Sequence, residues 1–273
     1  MSPLSRNSAK SLLPSRWIFA NFDRVLVAWS IAHPPAPSKL TRRLTEPLSR
    51  LLSIALIFSY IFPCFILAAQ PGLFALSDLL ELLSHAHGVV LEFGAGRGHT
   101  LTYYDPAKVY KVWAVEPNEE NTCALSRKIL QLGLNGTCQN LRCGIEDAET
   151  LRHVGIIDET VDTVVCILSL CTIPTPRDII SDLYSLMKPA GGQLLFLEHV
   201  DSEHSLTRTV QNWYTSLIWP YVTGGCELNR DTAKWCVEVM RNGNETPSSM
   251  EVHNIAGGWW NVFPHVSGRL VKA

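Results

Sequence analysis

An uncharged run that meets its first acid at Glu92 and then breaks into glycines, "GVVLEFGAGRG" (88–98), constrains this chain more than any other stretch. Its near-continuous apolar part, 88–93, reads as a strand buried on both faces, the signature of a parallel sheet covered by helices. Gly94, Gly96 and Gly98 then permit a tight turn whose backbone can approach a ligand closely.

The same pattern recurs downstream. "KVWAVEP" (111–117), "VDTVVCILSL" (161–170) and "QLLFLEHV" (193–200) are further strands. A helix is predicted over 118–134, with acids in its first turn, and another over 177–189, closed by Pro189 and two glycines. Such alternation implies an α/β, Rossmann-like doubly wound sheet with right-handed crossovers. Ligands of such sheets bind at the carboxyl ends of the strands.

Glu116 closes the second strand, 22 residues after Gly94, where a carboxylate can take both ribose hydroxyls of an adenosine group. Dinucleotide proteins space their glycines G-x-G-x-x-G. Here the spacing is G-x-G-x-G, and Glu92 would repel a pyrophosphate. An acid there suits a ligand with an amino group beside an adenosine and no phosphate, which describes S-adenosylmethionine. The expected cofactor-binding residues are Glu92, Gly94, Ala95, Gly96, Gly98, Glu116, Pro117 and Asn118. Two other readings stay open: a nicotinamide-dependent oxidoreductase, and an inactive membrane-anchored binding protein.

The net charge is −2, and no basic stripe appears, so a nucleic-acid partner has no electrostatic support. The eight cysteines form no C-x-x-C pair, which argues against a zinc site and for reduced thiols facing the cytosol. No metal is expected.

Residues 1–50 are rich in Ser, Pro and Arg and read as a loosely structured segment. "LLSIALIFSYIFPCFILAA" (51–69) then runs nineteen residues without a charge. That length can nearly cross a bilayer, and a core helix is the alternative. Lys39, Arg42, Arg43 and Arg50 precede it, so a full crossing would put the glycine turn in the lumen. Pro63 would kink it. The expectation is a membrane-associating helix and connector over 51–87, with a catalytic domain over 88–273 facing the cytosol. The endoplasmic reticulum is the expected membrane, and a cytoplasmic location is the alternative.

From residue 88 onward the chain resembles the class I methyltransferases. That resemblance implies about seven strands, the last antiparallel. "NLRCGIEDAETL" (140–151) resembles the family's adenine-binding turn, with Ile145 and Glu146 beside the adenine and Asp147 the rival acid. The fourth strand, 161–171, would bring Leu168 to the cofactor. A narrower likeness rests on "EHV" (198–200), "GGCELNRDTAKW" (224–235) and "FPHVSGRLVKA" (263–273). These are similar to the membrane-associated methyltransferase-like family and its fungal relatives, whose animal members are alkyl thiol methyltransferases. It implies a small lipophilic acceptor, methylated at S, N or O. His199, at a strand end that opens on the site, is the candidate general base, and His265 is a second. Trp213, Tyr214, Trp219, Tyr221 and Trp235 are expected to wall an apolar acceptor pocket. Glu198 is expected to be a helper or a structural carboxylate, Asp162 a turn residue, and Cys226 a packing residue.

Overall fold

Branched and aromatic runs form the strands of this protein, and amphipathic runs form the helices that cover them. The computed structural model describes residues 76–217, 219–243, 247–255 and 261–273. The segment 51–69, with Pro63, lies outside them. The elements are α1 (Leu76–Ser84), β1 (Gly88–Phe93), a 3-10 turn (Thr100–Thr102), β2 (Val109–Val115), α2 (Glu119–Gln131), β3 (Cys138–Leu141), α3 (Ala148–His153) and β4 (Thr163–Ile167). There follow α4 (Pro176–Leu186), β5 (Gln193–His199), α5 (Ser205–Leu217), α6 (Trp219–Thr223), α7 (Thr232–Asn242), β6 (Ser249–Ile255) and β7 (His265–Val271).

The seven strands form one sheet in the order β3-β2-β1-β4-β5-β7-β6. Pairings from β3 to β5 are parallel, while β7 runs antiparallel to both β5 and β6. This is the doubly wound sheet with an antiparallel last strand that the sequence implied. The chain order reverses beside β1, so the carboxyl ends of β1 and β4 diverge into a crevice.

Alternation along each strand supplies two cores. Leu91, Val164, Leu194 and Phe196 face one side, with Ile180 and Leu183 of α4 and Cys236 and Met240 of α7. Val90, Ala114, Val165, Leu195 and Leu197 face the other, with Leu82 and Leu83 of α1 and Leu125 and Ile129 of α2. Among the described residues, no helix is long and apolar enough to cross a membrane.

Asp162 does more than end a turn. It pins the amino-terminal ends of β1 and β4, opposite the crevice, accepting the Val89 N–H at 2.7 Å and the Lys188 ammonium at 2.7 Å. Burial raises its pKa, but these donors outweigh burial and hold the carboxyl below its ordinary range. A depressed carboxyl stabilises the fold above its unfolded pKa, and this is lost as pH falls through the folded value. Asp162→Ala should therefore cost about 1.5–3 kcal/mol at neutral pH. In urea titrations the gap to wild type should close below about pH 4. A gap that stays constant down to pH 2.5 would assign the loss to packing instead.

Candidate cofactor and acceptor site

The glycine turn leaves β1 with Gly94, Gly96 and Gly98 at φ of 65°, 55° and 75°, a region that L side chains rarely adopt. At Gly94 the constraint is also steric, because a Cβ there would collide with the Ser169 side chain beyond β4. At Gly96 a Cβ would meet nothing nearer than 3.9 Å, so the backbone is open on that side. Ala95 is buried, and its N–H donates to the Val115 carbonyl at 3.2 Å.

Glu116 follows β2 and is buried. One carboxylate oxygen accepts the Gly96 N–H at 2.8 Å and the other accepts the Asn118 N–H at 2.9 Å. The acid thus holds the glycine turn to the start of α2, and each oxygen keeps a lone pair for another donor. Asn118 caps α2 by accepting the Asn121 N–H at 3.0 Å, and Pro117 lies between the two. Glu92 is buried, and its oxygens accept hydrogen bonds from the Thr100 hydroxyl and, at 2.7 Å, from the Tyr104 hydroxyl. Burial holds its pKa above the ordinary range, against the smaller pull of these two donors. Beyond β3, Ile145 packs against the core, and the Glu146 side chain folds over Gly144. Asp147 caps α3, accepting the Thr150 N–H at 3.1 Å.

The turn after β4 is clamped from two sides. Glu198 of β5 is fully buried, and its carboxylate accepts the N–H groups of Ser169 and Leu170 at 2.8 Å and of Cys171 at 3.3 Å. Burial pushes its pKa up to about 7, against the pull of those donors. Arg230 binds the carbonyls of the same turn. Its Nη1 donates to Leu170 at 2.8 Å and to Ile173 at 2.5 Å, and its Nε to Glu227 at 3.0 Å. Between these clamps Leu168 stands at φ 52°, an uncommon conformation for a branched residue. Ser169 faces the glycine turn, and its hydroxyl is buried without a hydrogen-bond partner among the described residues.

His199 ends β5 opposite His265 of β7, with ring centroids 4.2 Å apart. Trp219 and Phe263 meet the His199 ring edge-on at 6.4 and 6.5 Å, and Tyr214 packs on Phe263. The aromatic wall is therefore narrower than expected. Trp213 and Tyr221 point outward, 65% and 82% exposed, and Trp235 packs on the core under Arg177. Phe263 completes the cage from a position the sequence reading passed over. Burial first, then the neighbouring His265, holds the His199 pKa well below its ordinary value. Burial lowers His265 to about 4. His199 Nδ1 is buried with no hydrogen-bond partner among the described residues. Cys226 is a buried free thiol. Among the described residues no cluster of side chains is suited to a metal ion.

Comparison with known proteins sharpens the chemistry. A family profile described as a methyltransferase domain matches residues 70–239. The chain is 29% identical to thiol S-methyltransferase TMT1B of Homo sapiens over 192 residues, 70% of this chain and 74% of that protein. It is 27% identical to thiol S-methyltransferase TMT1A of Homo sapiens over 183 residues, 67% and 70% of the two chains. A solved geranyl diphosphate methyltransferase in complex with SAM shares the fold, with a TM-score of 0.53 and 13% identity over 72% of this chain and 84% of that one.

The candidate residues are chemically compatible with S-adenosylmethionine: an acid with spare acceptor capacity for a ribose, an open glycine backbone, a buried acid near the turn, and the uncommitted Ser169 hydroxyl. Glu116→Ala should weaken S-adenosylmethionine binding by about 10- to 150-fold, the equivalent of about 1.5–3 kcal/mol for a charged hydrogen bond. Calorimetry on the folded variant checks this. Unchanged affinity would withdraw Glu116 from the ribose.

Proposed function

This chain belongs to the methyltransferase-domain family, and we propose that it methylates the sulfur of a small lipophilic thiol with His199 as general base. The family match decides against the oxidoreductase reading and for an S-adenosylmethionine-dependent enzyme. The observation that carries the thiol proposal is the buried, neutral His199 in its cage of Trp219, Phe263 and His265. The names of the curated relatives support a thiol.

When bound, S-adenosylmethionine supplies a methyl group already activated on a sulfonium. The residues then have three tasks. Glu116, Asn118 and the open backbone at Gly96 hold the adenosine side, with Glu92 buried close behind the turn and Ile145, Glu146 and Leu168 at its other borders. The aromatic cage excludes water and favours an apolar acceptor. His199 Nδ1 takes the thiol proton, leaving a thiolate as nucleophile. Because burial keeps the imidazole neutral far below pH 6.5, the base is available throughout the physiological range. The neighbouring His265 adds to burial in keeping His199 unprotonated until the thiol gives up its proton.

His199→Ala should lower turnover by about 10²–10⁴-fold at neutral pH, with S-adenosylmethionine affinity near wild type. The defect should shrink as pH rises through about 8.5, where a thiol ionises unaided. Turnover measured from pH 6 to 9.5 tests this. A pH-independent defect below about threefold would remove His199 and leave alignment and desolvation as the source of rate.

We also propose that the segment 51–69 associates the enzyme with a membrane while the catalytic domain faces the cytosol, at the endoplasmic reticulum. Its nineteen uncharged residues and the basic flank before it support this. The protein should sediment with microsomes, and protease added outside intact vesicles should digest the catalytic domain. A protected domain, or glycosylation at the sequons Asn135-Gly-Thr or Asn244-Glu-Thr, would reverse the orientation.

A further inference from the structure

Helix α5 is built inside out. Its buried residues are polar, Thr207 and Gln211. Gln211 accepts the Ser202 N–H at 2.6 Å and donates to the carbonyls of Val200 at 3.1 Å and Leu228 at 3.3 Å. Thr215 accepts the Leu228 N–H at 3.2 Å. These bonds fix which face points inward, so the helix cannot roll to bury its other side without stranding several polar groups.

The other side is apolar. Leu206, Val210, Trp213 and Leu217 are all exposed, and their spacing of four, three and four residues aligns them in one stripe. Tyr221 of α6, 82% exposed, extends it. The shoulders are Thr209, Asn212 and Ser216. From 205 to 223 the chain carries a single charge, Arg208, and no acid.

We infer that the outer face of α5, with Tyr221, is a lipid-contacting surface that lies in the headgroup–acyl boundary of a bilayer. Three observations select lipid as the occupant. The stripe itself carries no acid, and Arg208 is paired with Asp201 at 2.9 Å, so the apolar face presents no like charge to anionic headgroups. Outward Trp and Tyr beside small neutral polar residues suit the interface, where an amphipathic ring has one wet end and one dry one. The same helical stretch also carries Tyr214 and Trp219 into the cage around His199. An acceptor dissolved in the bilayer thus has the pocket wall directly against its own phase. The inference rests on the membrane association proposed above, and adds a second contact that does not depend on 51–69.

The test uses the full chain on vesicles of phosphatidylcholine and phosphatidylserine that contain a phospholipid with a photoactivatable acyl chain. After illumination, adducts should map to peptides spanning 205–223. A variant carrying Leu206→Ser, Trp213→Ser and Leu217→Ser changes only exposed positions, and its thermal midpoint and S-adenosylmethionine affinity verify that it is folded. It should lose these adducts by about tenfold or more. Its KM for a lipophilic thiol presented in vesicles should rise, while turnover of a short water-soluble thiol stays at the wild-type level. Adducts confined to residues 1–75 would overturn this inference and leave membrane association standing. Failure of the wild type to sediment with vesicles would overturn both. A concentration-dependent dimer that the triple variant abolishes, without lipid adducts on 205–223, would assign the stripe to a second copy and overturn the inference.

Discussion

One buried carboxylate organises the carboxyl end of the sheet. Glu198 sits at the end of a wholly buried strand and has three backbone N–H groups for partners instead of a cation. Taking a charge out of water is costly, and only converging donors make such a site tolerable. Those donors belong to three successive residues, 169–171, so the carboxylate fixes a turn that would otherwise have to satisfy its own dipoles. Arg230 completes the arrangement by taking carbonyls of the same turn. The Glu198 carboxyl holds the N–H side and the Arg230 guanidinium holds the C=O side. Between them Leu168 keeps its left-handed backbone, and Ser169 is pressed against the glycine turn.

The neutral state of the His199 imidazole follows from burial and strand register. Antiparallel pairing of β5 with β7 places His199 directly opposite His265, and cross-strand neighbours necessarily share a face. Two imidazoles 4.2 Å apart in a buried site cannot both become imidazolium without strong repulsion. Burial holds both below their ordinary range, and the neighbouring His265 lowers His199 further. An imidazole that stays neutral at pH 7 thus needs no acid partner here. It needs only a pairing register and a dry surround, and Trp219 and Phe263 supply the latter.

The parts legible in the sequence were those with local causes. Glycines after an apolar run announce a turn, Glu116 announces the end of β2, and alternating strand and helix patterns announce the sheet; each appears within a few residues of its expected bounds. Facing was not legible. Trp213 and Tyr221 look like pocket residues in a list of aromatics, yet Gln211 decides the orientation of α5 through bonds to Val200, Ser202 and Leu228. No periodicity reveals that a helix buries a glutamine and exposes a tryptophan. Arg230 was visible as part of a family block, but its carbonyl partners lie 57 and 60 residues away. Asp162 looks like an ordinary turn residue until β1 and Lys188 are brought beside it.

These constraints together limit what the enzyme can accept. The cage around His199 offers aromatic surface and a neutral imidazole, so an acceptor that arrives charged would have to shed its hydration without a counter-ion. A neutral, apolar acceptor pays no such penalty, but its nucleophilic atom must lose a proton after it has entered. The proposed thiol fits such a surround better than an aliphatic hydroxyl, because its pKa of about 8.5 lies close to neutrality while the hydroxyl's lies far above it. Apolar thiols of this kind concentrate in lipid more than in water. Helix α5, with its polar face turned inward and its apolar face outward, fits the lipid contact proposed above for a pocket fed from a bilayer.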